Sequence, residues 1–329
     1  MTSTRTAPRR AVQLAALPLA AWAGWSLYSR LRVPHSLTPP PALDAERRTL
    51  DGRAGPLNVY VAGSGAPLLL IHSVNAAASA SEVRPLFEHY RASRRVYALD
   101  LPGFGFSART DREYRPRLMT DAIHDVLDEI ALEHGGPVDA LALSLGGEFL
   151  ARAATERQGD FRSVALVTPT GFGRSEQFYG GSGSTRGRPG VKRALEYPLW
   201  AQPFYDALAS APSLRFFLAQ TFGSLGAVDE GLLRYTYPTS HVPGTRHAPF
   251  AFIAGLLFSA DIDRVYEALT VPVWLAYGER DRFTDFGDLS NVESRANWSF
   301  GRFGTGALIY FEQPGNFIAA YDAFLAGTG

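Results

Sequence analysis

Cysteine is absent from the 329 residues. That excludes disulfides, thiolate metal sites and a thiol nucleophile, and it leaves the redox compartment open. Lysine is nearly absent too: Lys192 stands alone, and every other basic residue is arginine. Neither sign of charge is in excess, since Lys+Arg and Asp+Glu both number 32. A neutral chain with scattered arginines offers no basic field, so no nucleic-acid partner is expected. Histidine and carboxylate spacings show no metal-site pattern, and no Gly-Lys-Ser/Thr follows a glycine-rich stretch. No metal and no other cofactor is therefore expected. Histidine is also missing from everything after His247.

At 46% hydrophobic and 19% charged residues, the chain has an ordinary globular composition. Its length suits one large α/β domain or two small ones. Ala11 to Tyr28 carries no charge and is flanked by Arg9, Arg10, Arg30 and Arg32. Trp22, Trp25 and Tyr28 lie toward one end of it, as an interfacial belt would. The stretch is near the lower limit for a spanning helix, roughly 17–25 residues. Residues 1–32 are expected to be a single N-terminal membrane anchor. The alternative is a secretory signal cut near Ala21-Trp22-Ala23, leaving a secreted or periplasmic protein. Residues 33–56 hold Pro34, Pro39, Pro40, Pro41 and Pro56 and read as a linker.

From residue 57 apolar runs alternate with helical patterns. Leu57–Ala62, Leu68–His72, Arg95–Asp100, Val138–Leu143, Ser163–Thr168 and Val271–Gly278 read as strands, with Trp298–Phe303 as the last. Ser79–Tyr90, Pro116–His134, Glu148–Arg157 and Gly315–Leu325 read as helices. The expected class is α/β, a mostly parallel central sheet flanked by helices. Its core comprises residues 57–170 and 263–329. Residues 171–262 break the rhythm and are rich in aromatics, including Trp200, Phe204, Tyr205 and Phe222. They read as an inserted helical cap with an apolar inner face.

The most informative stretch is Leu141-Ala-Leu-Ser144-Leu-Gly-Gly147. A serine between a buried strand and a helix, among small residues, is the pattern of a nucleophile elbow. The tight turn lifts the hydroxyl over the sheet edge, and the helix N-terminus favours negative charge there. The alternative is a serine that merely caps the helix.

Four motifs in order resemble the α/β-hydrolase fold family over roughly residues 50–326. They are His72-Ser73 at a strand end, Asp100-x-Pro-Gly-Phe-Gly-x-Ser107, the Ser144 elbow and Gly278-Glu-Arg-Asp281. The resemblance implies hydrolysis of an ester-like or other acyl bond, with Ser144 as nucleophile and Asp281 as the triad acid. Asp285 is the fallback acid. It implies the amides of Leu145 and Val74 as oxyanion donors, with His72 and Ser73 supporting the loop. Ser73 stands where the family has glycine, and Ala142 replaces the first glycine of the elbow.

The family's base histidine lies in surroundings like Gly-x-Leu-Pro-His-x-Glu-x-Pro. Here the chain reads Gly306-Ala-Leu-Ile-Tyr310-Phe-Glu312-Gln-Pro314, so Tyr310 occupies the position of the base. A phenol with a pKa of about 10 is a poor proton acceptor near neutral pH. His241 and His247, in the cap, are the candidates for a substitute base. The alternative reading is a non-catalytic descendant that binds an apolar ligand, or a partner at the membrane, in which Tyr310 hydrogen-bonds Asp281. Either way the expected small-molecule partner is apolar or acyl-containing.

Overall fold

The computed structural model describes residues 7–173, 180–287 and 289–328, with side chains from residue 20 onward. Eight strands form one sheet in the order β1-β2-β4-β3-β5-β6-β7-β8. They are β1 (Glu46–Gly52), β2 (Gly55–Ala62), β3 (Pro67–Ile71), β4 (Arg95–Asp100), β5 (Val138–Leu143), β6 (Phe161–Val167), β7 (Val273–Gly278) and β8 (Trp298–Phe303). β1–β2 and β2–β4 pair antiparallel, and all other pairs are parallel. β3 and β5 are buried at every residue. Continuous apolar runs are what parallel strands covered on both faces require.

Helix α1 spans Ala7–Arg32, α2 Arg84–Tyr90, α3 Pro116–His134 and α4 Gly146–Glu156. In the cap, α5 is Pro189–Leu195, α6 Ala201–Leu208, α7 Ala211–Thr221, α8 Glu230–Thr239 and α9 His247–Ile253. The chain returns through α10 (Ile262–Glu267) and ends in α11 (Ile309–Glu312) and α12 (Pro314–Ala326). Two apolar cores lie on opposite faces of the sheet. One packs Leu69, Ile71, Ala142 and Leu166 against α3, α4 and α10. The other packs Leu68, Leu70, Leu141 and Val167 against α2, α11 and α12.

One expectation changes. Residues 33–56 are not a free linker, because 46–52 form β1. Its sequence Glu-Arg-Arg-Thr-Leu-Asp-Gly hides it, since both faces of this edge strand are largely exposed. Charged side chains are how edge strands are protected from further pairing, and Arg48 reaches Glu129 and Glu133 on α3. The proline stretch before β1 is tied down as well: Leu37 N–H donates to His241 O, and Tyr235 Oη to Pro40 O.

The expected anchor segment falls within α1. Among the described residues no helix is long and apolar enough to cross a membrane. α1 is alanine-rich, and its far end docks on the cap. Trp25 Nε1 donates to Pro203 O at 2.8 Å, and Ser29 Oγ donates to the buried Asp206 carboxylate at 2.5 Å.

Candidate active site

Ser144 sits in the turn between β5 and α4, at φ 51°. A non-glycine residue in the left-handed region is strained, and such strain concentrates at functional turns. Two hydrogen bonds hold it there: Ser144 N–H donates to Val167 O at 2.8 Å, and Gly147 N–H to Ser144 O at 2.8 Å. The next residues must be small. A Cβ on Gly146 would lie 2.5 Å from the carbonyl oxygen of His72. The elbow therefore packs directly on the loop after β3, which is why Gly146-Gly147 was legible as a turn signal.

That loop is rigidly built. His72 is fully buried; its Nε2 accepts from Leu101 N–H at 2.9 Å, so its proton lies on Nδ1, which donates to Ser73 O. Both ring nitrogens of His72 are thus engaged with backbone groups of neighbouring loops. Glu82, also buried, accepts from Ser73 N–H at 2.9 Å and from Asn75 Nδ2 at 2.6 Å. Asp100 accepts from the N–H groups of Ala80 and Phe106 and from Asn58 Nδ2, tying the Asp100–Ser107 loop to the same region. Sequence reasoning missed Glu82 and Asn75. Their contacts are tertiary, and only a carboxylate near an apolar helix start could have hinted at them. Among the described residues the Val74 and Leu145 N–H groups have no acceptor. Unclaimed N–H groups are what an oxyanion hole needs.

Glu148, on the first turn of α4, is fully buried and was also missed. It accepts from Thr170 Oγ1 at 2.5 Å and from Ser259 N–H at 2.8 Å. It thereby fastens the end of the cap segment to the elbow helix.

Asp281 lies in the loop after β7. Its carboxylate turns back on that loop, accepting from Phe283 N–H at 2.9 Å and from other backbone groups there. Burial pushes its pKa up from the usual carboxylate range, and the backbone N–H groups of residues 282–284 partly offset this. Asp285 likewise caps its own turn through Gly287 N–H.

The loop from Gly306 to Pro314 is tightly framed. Glu312 accepts from Gly306 N–H at 2.7 Å and pairs with Arg280. A Cβ on Gly306 would lie 2.4 Å from Thr221 O at the end of α7, so only glycine fits. Inside this frame Tyr310 points into the apolar core. It is fully buried, with its ring against Phe311 and Phe317. Its hydroxyl has no hydrogen-bond partner. The expected bond from Tyr310 to Asp281 is therefore not made: the aromatic ring is held by the α11–α12 core, and Asp281 is occupied by its own loop. Burial, with the Glu82 charge in addition, pushes the Tyr310 pKa far up, so the phenol stays protonated.

None of the seven histidines is hydrogen-bonded to Ser144 or Asp281. His241 Nδ1 meets Tyr237 O at 2.7 Å, and its ring stacks on Tyr237 at the groove beside α1. His247 faces Asp111 and Glu196. Of the two substitute bases suggested by the sequence, His241 is thus bonded to Tyr237, while His247 lies against two carboxylates without a hydrogen bond at Nδ1. Two cavities are prominent. One of 560 Å³ opens at the Asp281 loop, lined by Tyr277, Phe283 and Arg302 among others. The other, of 780 Å³, lies between α1 and the cap, lined by Trp22, Trp25 and Tyr28. Ser144 lines neither. Backbone geometry, rather than cavity size, therefore locates the candidate chemistry.

The sequence is 28% identical over 228 residues to a pimeloyl-[acyl-carrier protein] methyl ester esterase of Xylella fastidiosa (strain 9a5c), covering 68% of this chain and 79% of that protein. A meta-cleavage product hydrolase from Pseudomonas fluorescens IP01 superposes with a TM-score of 0.66 at 19% identity, over 86% of this chain and 98% of its own. A thermophilic esterase from Thermogutta terrifontis gives 0.65 at 16% identity, over 86% and 99%. At such identities these two likenesses concern the fold. The model of the alpha/beta hydrolase family matches residues 68–320. The strand order, the elbow and this match agree: the chain belongs to the alpha/beta hydrolase family.

Proposed function

We propose that the protein is an acyl-bond hydrolase with Ser144 as nucleophile and the Val74 and Leu145 amides as oxyanion donors. It turns over slowly because no imidazole serves the serine. One observation carries the reading: Ser144 is held at φ 51° between β5 and α4. Relatives described as esterases favour an ester substrate, and the aromatic cap favours an apolar one. A serine without a base is a weak nucleophile, but the oxyanion site and binding alone retain about 10³–10⁴-fold over water in triads that have lost a member. The chain is therefore expected to acylate with activated esters. Labelling by a fluorophosphonate probe tests this. Labelling of wild type and none of Ser144→Ala supports the proposal; no labelling of either overturns it.

A second reading, an apolar-ligand binder without turnover, is favoured by the burial of Tyr310 and by Asp281 capping its own loop. Ligand that co-purifies with Ser144→Ala and wild type alike, without probe labelling, would establish it. For location we propose attachment to a membrane surface through α1. Its exposed Leu27, Tyr28 and Leu31 lie beside Arg30 and Arg32 and support the reading. Co-sedimentation with anionic vesicles tests it.

A further inference from the structure

His247 has a role outside the elbow. Its side chain is 10% exposed, and its Nδ1 is buried without a hydrogen bond to any group. Yet Nδ1 lies 3.4 Å from Asp111 Oδ1 and 4.0 Å from Glu196 Oε1. One ligand atom from each of the three residues falls within 4.8 Å of the others. A buried ring nitrogen that bonds to neither of two adjacent carboxylates is free to share a ligand with them.

We propose that Asp111, Glu196 and His247 form a binding site for a divalent cation of the zinc class. One imidazole nitrogen and two carboxylates suit a borderline cation such as Zn²⁺, with water completing the shell from the exposed Asp111 side. Bonds of about 2.0–2.2 Å in a tetrahedral site place ligand atoms about 3.4 Å apart. The Asp111–His247 spacing of 3.4 Å already meets this, while Glu196, 4.0 Å from His247 and within 4.8 Å of Asp111, has to move closer. The neutral imidazole is the form that supplies the lone pair such a cation needs.

The ligands come from three segments. Asp111 is on the core loop between β4 and α3, Glu196 caps α5, and His247 opens α9. Bound metal would therefore clamp the cap to the core. The contact is already close there: Arg109, beside Asp111, donates to Thr239 O at 2.9 Å. Two cations lie close enough to His247 to oppose the metal, Arg246 and Lys192. Lys192 Nζ lies 2.5 Å from Glu196 Oε1, and its ammonium has to swing away. Lys192 is the only lysine of the chain, on a flexible stem that can leave.

The test uses untagged, chelator-treated full-length protein titrated with Co²⁺, whose visible d–d bands report coordination, followed by displacement with Zn²⁺. The expected result is one equivalent bound with intense bands of low coordination number. Asp111→Asn, on an exposed loop, should weaken binding by at least the roughly 10–100-fold typical of losing even an outer partner. His247→Ala should abolish the bands, and Lys192→Ala should tighten binding. Zn²⁺ should raise the melting temperature of wild type and not of Asp111→Asn. Wild type that binds Co²⁺ no more tightly than folded Asp111→Asn, or that binds only once Lys192 is removed, overturns the proposal.

Discussion

Replacing Tyr310 with histidine is the sharpest perturbation of the elbow. General-base catalysis supplies about 10²–10⁴-fold, which is about 2.7–5.4 kcal/mol at about 1.36 kcal/mol per decade. The lower end applies here, because Asp281 already accepts backbone N–H groups and must release some to orient an imidazole. Stability should change little. The substitution loses ring contacts with Phe311 and Phe317, worth about 0.5–1.5 kcal/mol beyond area. It also removes a buried hydroxyl without a partner, a penalty of about 1–3 kcal/mol. The assay is hydrolysis of a short-chain nitrophenyl ester, compared with Tyr310→Phe as the control that alters the phenol without adding a base. We expect about 10²-fold higher kcat/KM for Tyr310→His, abolished by adding Ser144→Ala. Equal rates for the histidine and phenylalanine variants, both folded, would refute the argument that an absent proton acceptor limits turnover.

Other outcomes follow from single contacts. Tyr310→Phe should be more stable than wild type by up to about 1–3 kcal/mol in thermal unfolding, since an unpaired buried hydroxyl is removed. Asp139 is fully buried; burial alone would raise its pKa, but bonds from Arg162, Ser163 and Arg94 hold it below 3.8. Its contribution is therefore present above pH 3.8 and lost as pH falls through the lower folded value. Asp139→Ala should cost about 3–5 kcal/mol at pH 7 by denaturant titration, because both arginines lose their partner. Glu148→Ala frees Thr170 and Ser259 N–H. It should speed limited proteolysis near residues 180–260, read by mass spectrometry, while leaving far-UV circular dichroism unchanged.

The parts of the fold legible in the sequence were those whose signal is local. β3, β5 and β7 show as apolar runs because both sheet faces are covered. Ser144 shows because a strand, a tight turn and a helix start follow one another within a few residues. β1 was hidden because an edge strand with exposed faces carries charge instead of periodicity. The loop bearing Tyr310 was legible, since Gly306 and Glu312 stand at the spacing the resemblance implies and are bonded to each other. The destination of the Tyr310 side chain was not, because the α11–α12 core that holds it is a tertiary product. The same holds for His247: its neighbours Asp111 and Glu196 are far from it in sequence, so no spacing rule could bring them together.

Gly306 also has a mechanical meaning. The backbone of α7 rests against it with no room for a methyl group, and Ala307 N–H is bonded to Thr221 O at 2.7 Å. The C-terminal end of α7 and the loop leading into α11, which bears Tyr310, are thus geared together. A shift of α7 must drag that loop along or shear this bond. A side chain engineered at position 310 would then answer to any displacement of α7.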